Sequence, residues 1–309
     1  MALKIQKYIP KKLQSREFKF DLIIILLIIS MVYASSSYFY WQPVHKTGDS
    51  MHYFRMSENI FSEKGLPFKY RILTPILASA LPLEPQLRFF VFNFFILCLV
   101  GILFYYYLKR LNFNLLLSFL GCTFLFLNPI ISKGAILLIE PFMMLFLLLG
   151  FYALLINKKW LFFLAVFLGT INKEVALILL PLYFLYTRKI FQTILMSIFP
   201  ILAYIAIRIY FGGEDMFFKN QTLYVLKLNI TKFIPRVLSV GQTFSFMWII
   251  APFGYKKAPN FIKKCTPWLL ILPILFLMSL SIDRMAYYSF PILIPLVLQV
   301  LKNTFLQKK

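Results

Sequence analysis

Long apolar runs, repeated along the chain with few charges inside them, limit this polypeptide more than any other feature. Residues 20–41 (FDLIIILLIISMVYASSSYFYW) contain a single charge, and residues 190–211 (IFQTILMSIFPILAYIAIRIYF) contain one more. A helix of about 20 such residues crosses the roughly 30 Å hydrocarbon core of a bilayer. The runs are continuous rather than alternating, which predicts helices and excludes a barrel. Hydrophobic residues make up 61% of the chain and aromatics 19%, well above the roughly 45–50% apolar content of a soluble domain. The expected fold class is all-α: a polytopic integral membrane protein of about ten transmembrane helices, forming one transmembrane domain over residues 1–309. The expected spans are 20–41, 88–108, 112–131, 135–156, 160–171, 174–187, 190–211, 239–255, 267–281 and 285–302.

The net charge of +22 sets the orientation. Residues 1–19 carry six Lys and Arg and are expected in the cytoplasm. With that start, the basic connectors Lys109-Arg110, Lys158-Lys159, Arg188-Lys189, Lys256-Lys257 with Lys263-Lys264, and the C-terminal tail all fall inside. Of 33 Lys and Arg, 19 land on that side, whereas 9 of 11 Asp and Glu land outside. The acids did not enter the assignment, so their segregation supports it independently. The basic residues therefore serve membrane topology, and no nucleic-acid motif accompanies them. Two longer segments lie outside: a first extracytoplasmic loop, 42–87, and a second, 212–238, expected as a loop lying on the interface. Cys98, Cys122 and Cys265 show neither metal spacing nor a disulfide plan.

Two stretches test this topology. Residues 71–83 are apolar but too short to span, so they are expected to lie along or dip into the outer interface. Residues 160–187 as one helix would bury Lys173 and Glu174 mid-membrane; two short helices meeting at TINKE fit the charges better. Ionisable groups inside the hydrocarbon face a cavity or a partner. Arg71, Glu140, Lys173-Glu174 and Asp283-Arg284 all fall in the outer half, on the side of Asp49. Together they predict a polar cavity open outward with Asp49 at its roof. Each also has a plainer reading. The two charge pairs fit local ion pairs, Glu140 (read as two turns into its span) fits a helix start, and Arg71 fits a snorkelling side chain.

Asp49 sits in HKTGDSMHYFR, which turns helical after the acid. Tyr53, Phe54, Met56, Ile60 and Phe61 form an apolar face, and His52, Arg55, Asn59 and Ser62 a polar one. This predicts an amphipathic interfacial helix with Asp49 or Ser50 as its N-cap. A cap and a catalytic carboxylate are compatible, because a cap is held in place. His52 fits an interfacial polar residue. His45, Asp49, His52 and Glu140 have no standard ligand spacing, so no cofactor is expected and a divalent metal is unsupported.

The order of these pieces resembles the GT-C superfamily of polytopic glycosyltransferases. GDSMHYFRMSENI in the first outer loop is followed by PFKYRILTPILASAL, IEPFMMLFLLLGFYALL, FLGTINKEVALILLPLYFL and DRMAYYSFPILIPL, which together run through most of the chain. The resemblance implies a polyprenyl-phosphate-linked sugar donor, a glycan or lipid acceptor, and attack of an acceptor hydroxyl at the outer face of a bacterial-type plasma membrane. By that analogy Asp49 is the general base. Arg71, Lys173 and Arg284 would meet the leaving phosphate, and Glu140, Glu174 and Asp283 would orient those cations or bind sugar hydroxyls. Tyr53 and Tyr70 would pack on a sugar face, with His52 nearby. The rival is a transporter or lipid flippase, for which repeat symmetry and midplane polar groups are expected. A noncatalytic assembly protein is a third class.

Overall fold

Proline, asparagine and glycine cut the apolar runs into helices of unequal length. The computed structural model describes residues 16–40, 48–63, 65–128, 137–212, 219–278 and 282–305, and among these every regular element is helical. The expected all-α class therefore holds. Among the described residues, two helices are long and apolar enough to cross a membrane: α4 (Pro85–Arg110) and α9 (Ile190–Tyr210), the fourth and ninth along the chain. Helix α1 (Arg16–Tyr40) leads, packed against α4 and α5 (Leu115–Phe126).

Between α1 and α4 lies the segment expected as the first outer loop. It holds α2 (Asp49–Glu58), a 3-10 turn at Phe68–Tyr70 and α3 (Leu73–Ser79). Seven residues make α3 only about 10 Å long, too short to cross a bilayer alone. Helix α2 buries Tyr53, Phe54 and Met56, as its periodicity requires. It stops at Glu58, where Asn59 turns extended at φ −148°. Phe61 thus leaves the expected apolar face and is 58% exposed. Arg88 of α4 fastens α2 by donating to the Ser57 carbonyl and hydroxyl, both at 3.1 Å.

Helices α6 (Glu140–Leu155) and α7 (Lys159–Asn172) form the centre, with α4 against α6 and α9 against α7. The left-handed residues Asn112 and Asn157, at φ 64° and 56°, close the short turns after α4 and α6, a conformation asparagine tolerates well. Asn114 then caps α5, accepting from the Leu117 amide at 2.9 Å. The expected break in 160–187 is present. Lys173 is extended (φ −160°, ψ 128°), a 3-10 turn follows at Glu174–Ile178, and α8 (Leu179–Thr187) resumes.

Residues 212–238, expected as a loop, are helical where described: α10 (Lys219–Thr231) continues into α11 (Phe233–Phe244). These pack against α14 (Leu272–Met278) and α15 (Ile282–Tyr287) respectively. Apolar side chains between the basic ones give these helices a face to bury. Helix α12 (Met247–Gly254), a 3-10 turn at Tyr255–Lys257, α13 (Asn260–Cys265) and a 3-10 turn at Thr266–Ile271 complete the described elements before α16 (Phe290–Phe305). Gly254 lies against α16 so closely that an added Cβ would stand 2.0 Å from the Leu296 carbonyl oxygen. Buried polar side chains join distant segments. Asn93 donates to the Leu138 carbonyl (2.8 Å), Tyr107 to Pro291 (2.8 Å) and Trp268 to Ile178 (2.7 Å).

Helix α6 separates two chemical worlds. Its 16 residues span about 24 Å, from Glu140 at one end to the turn before Lys158-Lys159 at the other. Helix α7 runs back from Lys159 to Asn172. Acidic side chains of the polar cluster therefore gather at one end of this pair, and its basic connector at the other.

Candidate functional site

The site is built from the ends of helices and the breaks between them. Asp49 is the first residue of α2, Glu140 the first of α6, and Lys173 the break after α7. Glu174 opens the following 3-10 turn, Arg71 lies between the Phe68–Tyr70 turn and α3, and Arg284 lies on α15. Helix ends stop at a common level, so residues far apart in sequence meet there. Thr74 of α3 assists by donating to Asn172 Oδ1 at 2.5 Å, while Asn172 Nδ2 donates to the Ile139 carbonyl at 3.2 Å. These two bonds tie α3 to the Lys173 break and to the start of α6.

Three cations and three carboxylates interlock. Arg71 grips Glu174 with two bonds, Nη2 to Oε1 at 2.6 Å and Nε to Oε2 at 3.3 Å. Its Nη1 donates to the Tyr53 hydroxyl at 3.2 Å. Lys173 Nζ donates to Glu140 Oε1 at 3.0 Å and to the Tyr288 hydroxyl at 3.4 Å. Arg284 Nη1 donates to Asp49 Oδ2 at 2.9 Å and to Glu140 Oε1 at 3.3 Å. The planar guanidinium of Arg71 suits the two-pronged grip on a carboxylate. Exposure is graded across the set. The Lys173 and Glu140 side chains are 4% and 7% exposed, whereas Asp49 at 43% stands at the rim.

The sequence-derived candidates fare unequally. Arg71, Glu140, Lys173, Glu174, Arg284 and Asp49 come together. The Asp283 side chain and His45 lie outside the described residues. The expectation that Asp49 or Ser50 caps α2 is corrected: Gly48 is the N-cap, at φ 86°, and makes no side-chain cap bond. The Asp49 carboxylate turns to Arg284 instead, a charged partner worth more than one backbone amide. Glu140 also needs correction, because the described helix begins at Glu140 itself rather than two turns earlier. Its Oε1 takes both cations, while Oε2 is buried without a hydrogen-bond partner among the described residues.

His52 Nδ1 donates to Glu63 Oε2 at 2.7 Å, and the ring stacks on Phe68 with ring centres 4.1 Å apart. Tyr53 and Tyr70 are buried, 2% and 3% exposed, so neither presents an open ring face. Burial pushes the Tyr53 hydroxyl up to about 12, with Glu140 adding to the rise and the Arg71 and Lys173 charges opposing it. It stays a neutral acceptor for Arg71 at physiological pH. Among the described residues no three His, Cys, Asp or Glu side chains converge to hold a metal ion.

Two residues escaped the sequence reading. The Tyr288 hydroxyl accepts from Lys173 at the break after α7. Arg208 near the end of α9 is 2% exposed, its guanidinium 3.5 Å from the Tyr204 ring centre and 4.7 Å from that of Tyr70. A lone Arg one turn from the end of an apolar run reads as a snorkelling anchor. The chain i, i+4 to Tyr204 was the available signal, since those residues share a helix face. No family model, curated protein or solved structure matches this chain.

Proposed function

We propose that this protein is a membrane glycosyltransferase of ten spans. It would transfer a sugar from a polyprenyl-phosphate donor to an acceptor hydroxyl at the extracytoplasmic face, with inversion and with both termini cytoplasmic. The observation that carries the reading is the cluster itself. Six charged side chains from Asp49 to Arg284 meet at the end of α6 and α7 remote from the Lys158-Lys159 connector. Ion pairs so deep in an apolar bundle are costly to bury, and function gives the reason for keeping them.

In this mechanism the acceptor oxygen attacks the anomeric carbon and forms the new C–O bond. The bond from that carbon to the phosphate oxygen breaks, and polyprenyl phosphate leaves with the electron pair. Asp49, half exposed at the rim, takes the hydroxyl proton. Arg71, Lys173 and Arg284 are near enough to share their charge with the leaving phosphate. Glu140, accepting from both Lys173 and Arg284, holds those two cations in place. Placement of the cluster at helix ends favours this reading over a transporter or flippase, whose polar groups collect at the midplane.

The test compares surface glycans by mass spectrometry in cells carrying wild-type protein, Asp49→Asn, or a deletion. The expected result is that Asp49→Asn reproduces the glycan loss of the deletion. Wild-type glycans in Asp49→Asn, with loss in the deletion, would remove Asp49 as the base. Unchanged glycans in the deletion would remove the transferase reading.

A further inference from the structure

A concavity lies beside the charge cluster and shares no residue with it. It is an open recess of about 380 Å³ lined by Phe61, Glu63, Lys69, Tyr210 and Phe211, within the range of ligand pockets. One wall is the turn after α2; the other is the end of α9. Lys69 Nζ joins the walls by donating to the Gly212 carbonyl at 3.2 Å, where Gly212 adopts φ 83°. Phe61 meets Phe211 at 5.6 Å between ring centres and Tyr210 at 6.1 Å.

The chemistry of the walls limits what can enter. Phe61 and Tyr210 are 58% and 71% exposed and offer flat apolar surface. Lys69 supplies a fixed donor. Glu63 supplies a carboxylate, held by the Gly65 amide at 2.6 Å and by His52 at 2.7 Å. Burial pushes the Glu63 carboxyl up, but the His52 and Gly65 hydrogen bonds and the nearby His52 and Arg55 charges outweigh it and hold it below the usual carboxylate range. Glu63 is therefore ionised at neutral pH and balances Lys69. A bare phosphate would meet that carboxylate, and an isoprenoid tail would leave both charges unsolvated. A sugar ring suits all four features: its C–H face lies on an aromatic ring, while its hydroxyls donate to a carboxylate and accept from an ammonium.

The recess is also aimed. Glu63 binds His52, His52 stacks on Phe68, and Phe68 meets the edge of Tyr53 at 5.6 Å, whose hydroxyl takes Arg71. One layer of rings separates the recess from the cluster. We propose that the recess between Phe61, Glu63, Lys69, Tyr210 and Phe211 is a binding site for a neutral carbohydrate, the acceptor glycan. The carbohydrate specificity stands on the recess alone; the acceptor role rests on the transferase reading.

The experiment is saturation-transfer NMR on the full chain in nanodiscs. The probes are methyl glycosides and disaccharides of glucose, galactose, mannose and N-acetylglucosamine, with inorganic phosphate as the anionic control. The expected result is transfer to the ring protons of at least one sugar, with affinity reduced about fivefold in Phe61→Ala and in Tyr210→Ala, as loss of a stacking ring implies. Both side chains are exposed, so the fold survives their truncation. Binding is expected to persist in Asp49→Asn. Absence of sugar binding, sugar binding indifferent to both substitutions, or phosphate binding in place of sugar would overturn the proposal while leaving the glycan test of Asp49 intact. Sugar binding at the recess with unchanged glycans in the deletion would keep the carbohydrate site and remove its acceptor role.

Discussion

At the scale of single residues, the charges of the cluster depend on one another. Lys173 and Glu140 are both nearly inaccessible, so removing Glu140 strands the Lys173 charge, and removing Lys173 leaves Glu140 with Arg284 alone. Lys173→Met is expected to destabilise the solubilised protein by about 3–5 kcal/mol, the cost of removing one partner of a buried pair. Adding Glu140→Met should cost less than the sum of the two single changes, because each then removes the other's orphan. Thermal unfolding of the four proteins measures this; strict additivity would show that the pair is not coupled. Arg71→Lys retains the charge but loses the two-pronged grip on Glu174 and the bond to Tyr53. A loss of about 1–3 kcal/mol, roughly tenfold or more in transfer rate, is expected in the yield of surface glycan, with little change in the amount of folded protein. The sequence pointed to these charges because ionisable residues are rare inside apolar runs. It left Arg208 aside because the same residue at a run's end has an ordinary membrane use. Its aromatic partner Tyr70 comes from the segment between α2 and α3, more than a hundred residues earlier.

At the scale of elements, small residues and breaks decide what can pack. The close approach of α12 to α16 at Gly254 leaves no room for a methyl group. Gly254→Ala must push α12 away from the Leu296 carbonyl, and a loss of about 1–3 kcal/mol is expected, read as a lower unfolding temperature. An unchanged temperature would mean that the two helices are not seated so closely. The break at Lys173 was legible because one continuous helix from 160 to 187 would carry two charges through the membrane centre. The helices in 212–238 were less legible. Their mixed aromatic, aliphatic and basic composition has little period, and their helicity draws on the packing of α10 against α14 and α11 against α15.

At the scale of the whole molecule, topology and pH response follow from the charges. Ser62 near the recess and Lys257 after α12 are both exposed. In a chain without its own cysteines, Ser62→Cys should react with a membrane-impermeant maleimide in intact cells, and Lys257→Cys only after permeabilisation. The reverse pattern would invert the orientation. The Glu63 carboxyl is held below its ordinary range in the folded state. Its contribution to stability is therefore complete above the unfolded carboxylate range and declines as pH falls through the lowered folded value. Glu63→Gln should flatten the acid limb of stability against pH while leaving its shape above neutrality unchanged; an identical acid limb would show that Glu63 is not linked to folding.

The sequence by itself determined the all-helical class, the break at Lys173 and the identity of the rare charges in and beside the apolar runs. These follow from local hydropathy, helix length and the expense of a charge in hydrocarbon, none of which needs distant neighbours. Only the tertiary structure decided how those charges pair, that Asp49 turns from capping α2 to meet Arg284, and that Phe61 swings out to face Tyr210 and Phe211. Apart from Lys173 with Glu140, 33 residues apart, each of these is a contact between segments separated by more than a hundred residues. Partner choice at that range depends on where helices end in space, which no local pattern along the chain records.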